Sequence, residues 1–449
     1  MLIAESILKT IQRIIDVKHT EKNNQSRMAS CHRRDAYYVK EVARNLKRID
    51  EEKLRIIEDF WKPYEFCYKN NPKTQIAFYS QSGVFDPSLV GFGLQRFMLV
   101  QYWNNEIFSV FRNKNYSRLL FPFVKHPENL ASCSYGIYYD RNFNLLTFEQ
   151  TVRYILSLLQ QEHELIIKPA LDSGSGSNIT FLSDLEKPET IADKVRKLAP
   201  HFVCQKLLKN HESYKIGVDA VNTLRIVTVV AKDQIKLAGT VWRMSTGKRV
   251  DNWDAGGIVC PISPEGICGD FATSGKGEVY HQHPNGFEFK GHKLYKAKEV
   301  IETAIECHKR LPQQKCISWD FVVDEKGEIV LLEMNSPGGS EVVQSCGFNA
   351  YLDQNFARNV FDNYIYLNKA TFSWNYREFS DHVILLKYFG FARKLVIPSI
   401  FKGKPVKLVA ASAFHDTNVR EVMLPQQVSL AVSLIQNKSI KITTIRNKK

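Results

Sequence analysis

Residues 317–335 constrain this chain more than any other segment. They read strand, tight turn, strand: aliphatic and β-branched residues flank 324–327, which supply the turn. Pairing of the two strands brings Asp320 and Glu333 near each other. Asn335, two residues past Glu333, shares its face. Two carboxylates and an amide oxygen make a hard, all-oxygen donor set. Such a set suits Mg2+, which keeps part of its water and takes further ligands from phosphates. Acidic residues also end ordinary hairpins. Glu333 fits that reading poorly, because it follows the apolar run 329–332, and an acid in a half-buried strand needs a partner.

The chain's 449 residues suggest two or three domains, and 44% hydrophobic with 24% charged residues predicts a packed core rather than disorder. A net charge of +14 favours acidic partners without choosing among nucleotide, acidic sugar, anionic lipid and nucleic acid. With no aromatic-interleaved RNA motif and no zinc-finger spacing, nucleic acid is not an expected partner. Nine scattered cysteines without a CxxC pair read as reduced, structural thiols. No apolar run reaches the roughly 18 residues of a transmembrane segment. The N-terminus, interrupted by Glu5, Lys9 and Arg13, reads as an amphipathic helix rather than a signal peptide, so a cytoplasmic protein is expected.

Three regions are expected. Residues 1–110 look helical, with Val42, Leu46, Ile49, Leu54, Ile57 and Phe60 at helical spacing over 39–61 and a second helix near 94–111. Residues 111–370 change to strands, glycine loops and a few helices. Strands are expected at 164–168, 179–182 and 201–208, hairpins at 224–243 and 317–335, and helices at 188–198, 294–311 and 349–367. This mixture predicts an α+β domain built on antiparallel sheets. Residues 371–449 form a separate tail.

Lys168 ends its strand and meets the loop Ser173, Gly174, Ser175, Gly176, Ser177. Glycines let backbone N–H groups converge on phosphate, serine hydroxyls add donors, and a neighbouring lysine adds a point charge. The loop is neither a P-loop nor a dinucleotide fingerprint, because no Gly-Lys-Ser/Thr follows and no helix opens at its end.

The order of parts (lysine with glycine loop, hinge strand, basic strand, then Asp with Glu-x-Asn) resembles the ATP-grasp superfamily over about 110–345. The patterns Val221-Asn-Thr-Leu-Arg225, Val250-Asp-Asn252 with Gly256-Gly257, His283-Pro284 and Trp319-Asp320 are similar to one branch, the sugar-transfer-associated ATP-grasp proteins. The resemblance implies an ATP-grasp fold of two α+β subdomains. It implies that Lys168 and the earlier Lys114 touch the phosphates of ATP under the 173–177 loop. Gln205, Lys206, Leu207 and Leu208 form the hinge whose backbone meets adenine. Arg225 and Arg243 serve the γ-phosphate and transition state, and Asp320, Glu333 and Asn335 hold Mg2+. Many superfamily members have Glu where Gln205 stands, which puts a side-chain contact there in doubt. His283, before a proline, reads as structural more readily than as a substrate contact.

The activity so implied is an ATP-dependent carboxylate–amine ligase forming a C–N bond through an acyl-phosphate, with a carboxylated, glycan-linked acceptor and an amine, in polysaccharide or glycoconjugate synthesis. A phosphotransferase acting on a sugar or alcohol hydroxyl and a non-enzymatic assembly protein are the alternatives. The tail is similar to one bacterial-surface-type leucine-rich repeat, through Ile397-Pro398, Gly403, Pro405-Val406, Ala413-Phe414 and Leu424-Pro425. A lone repeat leaves Ile397, Val406, Phe414 and Leu424 without a stacking neighbour, so docking on the body or on a second subunit is expected.

Overall fold

The computed structural model describes residues 29–42, 51–62, 70–95, 113–171, 179–231, 234–336, 339–349, 374–388, 393–401, 404–410, 412–414, 417, 419–431 and 440–445. The glycine loop 173–177, the helix expected at the N-terminus, and nearly all of those expected at 94–111 and 349–367 lie outside these residues. The chain divides into two compact units. One comprises 34–96 and 103–352; the other comprises 1–33, 97–102 and 353–449.

In the first unit, helix α1 (Glu51–Trp61) and helix α2 (Lys73–Ser82) precede two sheets. The helical front is tied to the later sheet by buried amides. Gln344 exchanges hydrogen bonds with the Val90 backbone (2.9 and 2.8 Å), and Gln81 donates to the Ser274 carbonyl at 3.2 Å.

The earlier sheet has six antiparallel strands: β1 (Asn129–Ser134), β2 (Ile137–Asp140), β3 (Leu145–Leu146), β4 (Glu164–Pro169), β5 (Thr180–Ser183) and β6 (Phe202–Lys206). Their spatial order is β3-β2-β1-β6-β4-β5. Helices α3 (Phe148–Glu162) and α4 (Pro188–Leu198) belong to its core, where Ile155, Leu159, Ile191 and Val195 meet Leu130, Leu165, Ile167 and Phe202. Helix α3 starts at a capping box: the Thr147 hydroxyl accepts from Gln150 N, and the Gln150 side chain accepts from Thr147 N. Helix α4 starts on Pro188, whose missing N–H costs nothing in the first turn.

The later sheet has seven antiparallel strands: β7 (Thr223–Ala231), β8 (Gln234–Met244), β9 (Ile258–Pro261), β10 (Ala272–Ser274), β11 (Val279–Tyr280), β12 (Cys316–Val323) and β13 (Ile329–Asn335). Their order is β11-β10-β9-β8-β7-β12-β13. Helix α5 (Ala297–Lys309) buries Val300, Ile301, Ala304 and Cys307 in a core that includes Trp242, Trp319 and Phe321.

The β12–β13 hairpin is not regular. From its turn, Val323 faces Ile329, Val322 faces Val330 and Phe321 faces Leu331; the next pair is Asp320 with Glu333. Leu332 is therefore an extra residue, a β-bulge beside the site. An unbulged ladder would set Leu332 opposite Asp320 and turn Glu333 to the other face, because side chains alternate along a strand. The bulge is what puts Glu333 and Asn335 on the face of Asp320.

The tail corrects the single-repeat expectation. Strand β14 (Trp374–Glu378) runs antiparallel to β15 (Val383–Tyr388). The chain then continues through β16 (Lys394–Val396), β17 (Ile400–Phe401), β18 (Lys404–Val409), β19 (Glu421–Pro425), β20 (Ser429–Leu430) and β21 (Lys441–Ile445). Strands β15, β18 and β20 stack in one parallel ladder, and β16, β19 and β21 in another. These are three successive coils, each adding a strand to both ladders. Ile397, Val406, Phe414 and Leu424 are all buried in the tail's own core, with Trp374, Leu385 and Val422.

Candidate active site

Directly opposed residues of an antiparallel pair share a face. Asp320 faces Glu333 on one side and Arg225 on the other, and two residues along β7, Thr223 faces Arg243. Three strand pairings thus gather two arginines and two carboxylates on one surface of the later sheet.

Asp320 is the hub. Its Oδ1 accepts from Arg225 Nε at 2.8 Å and its Oδ2 from Arg225 Nη2 at 2.7 Å, a bidentate fork. Oδ2 also lies 3.2 Å from Arg243 Nη1 and accepts from Asn335 Nδ2 at 3.2 Å. Burial alone would favour the protonated acid, but the Arg225 and Arg243 guanidiniums win and hold Asp320 down to about 2. Arg225 in turn is held above the ordinary arginine range: burial opposes its charge, and Asp320 more than offsets that.

Arg243 is braced from behind by Asp251, 3.2 Å from Nη2. Asp251 also accepts from the Thr223 backbone N–H at 3.0 Å and from the Thr223 hydroxyl. Burial pushes the Asp251 carboxyl up, against the pull of Arg243. The loop carrying Asp251 closes at Gly257, whose N–H donates to the Asn252 carbonyl at 2.8 Å. A Cβ there would stand 2.5 Å from the Asp251 carbonyl, so only glycine fits. Arg243 Nε is buried and has no hydrogen-bond partner, an orphan donor inside the site.

The second carboxylate, Glu333, is ion-paired with Lys114 Nζ at 2.8 Å. Lys114 sits on a loop whose backbone N–H donates to the Ala170 carbonyl at 3.0 Å, just past β4. That bond sets it beside Lys168. Burial pushes the Lys168 ammonium down to about 8; nearby Lys114 adds to the shift and Glu333 opposes it. Among the described residues Lys168 has no ion pair.

The hinge residues divide. Gln205 is buried and donates to Asn129 Oδ1 at 2.6 Å, so its side chain is used internally. Lys206 turns its ammonium to Glu162 at 2.5 Å and Glu128 at 3.7 Å. Leu207 and Leu208 follow β6 outside the ladder. His283 is buried, with Nε2 2.9 Å from the Ser245 carbonyl and Nδ1 against Asn285, which fits its structural reading. Asp251 and Thr223 carry site geometry that sequence reasoning assigned to neither. Asp251 stood in the 250–252 pattern, but no spacing rule links it to Arg243.

Asp320, Glu333 and Asn335 present two carboxylates and one amide on a common face, a donor set that fits Mg2+. Among the described residues no group of three His, Cys, Asp or Glu could hold a metal, and Asp320, Glu333 and Asn335 would leave positions for water and phosphate oxygens around Mg2+. Both carboxylates now hold protein cations, and a metal would displace these. Lys168 and the Arg243 Nε–H, without ion-pair or hydrogen-bond partners among the described residues, fit an anion supplied alongside.

Among solved structures, the fold is similar to D-alanyl-alanine synthetase A from Vibrio cholerae O1, at 12% identity and a TM-score of 0.36, covering 57% of this chain and 64% of that one. The VanG D-Ala:D-Ser ligase from Enterococcus faecalis matches at 13% and 0.35, covering 56% and 60%. An L-amino acid ligase from Bacillus licheniformis matches at 13% and 0.29, covering 54% and 47%. The chain thus spans less than two thirds of the length of each. No curated protein sequence matches. The family model described as sugar-transfer associated ATP-grasp matches residues 96–347, more than half of the chain, and takes in both sheets and the whole charge cluster. The chain belongs to the sugar-transfer associated ATP-grasp family.

Proposed function

We propose that this site binds ATP with Mg2+ and uses it to join a carboxylate to an amine. The observation that carries the reading is Lys168: a half-buried ammonium without an ion pair among the described residues, next to a second lysine and within the field of a carboxylate pair. A half-buried cation so placed, without a counter-charge of its own, calls for an anion. A phosphate chain satisfies it, with Mg2+ offsetting charge on the phosphate oxygens.

On this reading Lys168 and Lys114 hold the phosphate chain. Leu207 and Leu208 offer backbone groups to the base. Asp320, Glu333 and Asn335 would hold the metal. Arg225 and Arg243, released from Asp320, turn to the transferring phosphoryl group, with Asp251 keeping Arg243 in line. Substrate carboxylate oxygen attacks the γ-phosphorus, the bond to the β-phosphate oxygen breaks, and ADP leaves. An amine nitrogen then attacks the acyl carbon, phosphate departs, and the amine gives up a proton as the amide forms. No protein nucleophile is required.

Lys114, Lys168, Arg225 and Arg243 meet Asp251, Asp320, Glu333 and Glu341, whose charge also acts on Arg225, so the negative charge an acidic ligand brings must be offset by the metal. The acceptor we favour is a carboxylated sugar or glycan precursor, supported by the family's association with sugar transfer. The test is ATP turnover with candidate uronic and amino acids, with and without amines, followed by mass analysis. Amide product with ADP and phosphate supports the ligase. A phosphorylated hydroxyl, stable without amine, would replace it with a kinase.

A further inference from the structure

The tail carries much of the chain's charge. From 374 to 449 there are thirteen Lys and Arg against four Asp and Glu, so nine of the fourteen net positive charges lie in this stretch. Three of the four acids are already bound: Glu378 to Lys404, Asp381 to Lys407 and Glu421 to Lys394. Cations therefore remain in excess, and they are concentrated.

The second parallel ladder begins with a cation on each of its three coils. Arg420 N donates to the Arg393 carbonyl at 2.6 Å, and Lys441 N donates to the Arg420 carbonyl at 2.9 Å. Arg393 and Arg420 thus hold the same position on adjacent coils, about 4.8 Å apart along the ladder. Lys394, Glu421 and Lys441 are in register beside them. Arg393, Lys394, Arg420 and Lys441 are all exposed, and Glu421 is the one acid in the row. Like charges stacked on neighbouring strands repel and destabilise the ladder. A row of this kind becomes favourable once an anion with charges along its length lies against it.

We propose that this rim is a binding surface for a linear, carboxylated glycan. The array is elongated across three coils, with Arg393 and Arg420 at one position and Lys394 and Lys441 flanking Glu421 at the next, which matches charges repeated along a chain. Two of its members are arginines, whose planar forks pair bidentately with carboxylates. A lipid surface would favour apolar side chains beside the cations, yet the exposed large hydrophobics among the described tail residues are only Phe379, Ile400 and Ile442, and Phe379 is stacked on His382 at 4.5 Å. Single-stranded nucleic acid would favour exposed aromatic rings along the row, and the row has none. The inference does not depend on the ATP reading, because its residues belong to the tail's unit and that reading rests on residues of the other.

The test uses the full-length chain and three exposed-charge substitutions together: Arg393→Gln, Arg420→Gln and Lys441→Gln. The probe is a fluorescent polygalacturonate oligomer, with dextran as neutral control. A second triple variant, Arg153→Gln, Lys197→Gln and Lys298→Gln, removes the same charge from exposed helix positions elsewhere. Wild type and the helix variant should bind the polyuronate with similar affinity and ignore dextran. The rim variant should bind at least tenfold more weakly, with a shallower dependence on salt and a melting temperature that is not lowered. Equal losses in both variants would reduce the effect to net charge and overturn the proposal. Tighter binding of duplex DNA, single-stranded DNA or phosphatidylglycerol vesicles than of polyuronate would overturn it in favour of that partner. ATP turnover, followed in parallel, reports separately on the site of the first unit.

Discussion

The two units handle charge in opposite ways. Around Asp320, cations and carboxylates from four strands are buried together and bonded to one another. In the tail the interior is apolar, and the charges sit on the rim with acids too few to match them. A buried cluster is rigid and intolerant of losing a member, whereas an exposed row is cheap to alter and open to a large partner. Two parts of one chain thus suit two kinds of ligand: a small anion enclosed by aligned groups, and a long one lying against a surface.

The largest effect expected from breaking this contrast is at Asp320. Asp320→Ala strips Arg225 of its bidentate partner and leaves Arg243 with Asp251 alone, so two largely buried guanidiniums lose the carboxylate they share. Removing one member of a buried pair costs about 3–5 kcal/mol. Chemical denaturation of the variant should show a loss of that size. A loss below about 1 kcal/mol would mean that the cluster is solvated and the contrast false.

Glu333→Gln separates chemistry from stability. Glu333 is half-buried and, among the described residues, ion-pairs with Lys114, so the fold should persist. If Glu333 holds the metal, turnover should fall about a hundredfold or more. Steady-state ATP hydrolysis with the cognate acceptor measures this. Activity near wild type would remove Glu333 from the metal set.

That set shows how far the sequence could be read. The residue types and the strand-turn-strand pattern over 317–335 were legible, and the hairpin is there. The extra residue at Leu332 was not. Counting from the turn puts Glu333 on the wrong face, and only the bulge restores it, through packing that no local pattern announces. Strands β4, β5 and β6, the β7–β8 hairpin and helix α4 fall close to where periodicity set them, because each alternates or repeats cleanly. Helix α3 was missed although Thr147 and Gln150 spell a capping box. The tail's coils were missed for another reason. Strands as short as β16 and β20 carry almost no periodic signal, and their parallel stacking depends on partners far along the chain. Arg243 was read as a candidate, but its brace on Asp251 joins a strand to a loop and leaves no trace in spacing.

A smaller effect is expected in the pH dependence of nucleotide binding. Burial, reinforced by Lys114, lowers Lys168 from its ordinary 10.5 to about 8. The folded chain therefore releases this proton before the unfolded chain does. Its contribution to stability is most unfavourable below pH 8 and improves as pH rises from there towards 10.5. Nucleotide works the other way. An anion favours the charged lysine, so binding should take up a proton at pH 8–9, and affinity should fall as pH rises through 8. Titration calorimetry in two buffers of different ionisation heat reads the uptake directly. Equal heats at pH 8.5, with binding intact, would take Lys168 out of the phosphate site.

The smallest effect on stability, and the sharpest on the comparison, is expected at Glu421. This half-buried carboxylate lies on the middle coil, 3.2 Å from the exposed Lys394, with Lys441 in register on its other side. Exposed pairs of this kind contribute about 0–1 kcal/mol, since water and salt screen them and the long lysine chain resists being fixed. Glu421→Gln keeps the shape and deletes the one acid in the row. The tail should unfold at nearly the same denaturant concentration, in contrast with the loss expected at Asp320. Polyuronate affinity should rise, because the variant removes the group that neutralises Lys394 and repels an incoming carboxylate. Measured side by side, the two quantities test whether the rim's charge serves the fold or a partner. A marked drop in stability with unchanged polyanion affinity would mean that Glu421 and its lysines hold the coils together, and that the row is a structural ladder rather than a binding surface.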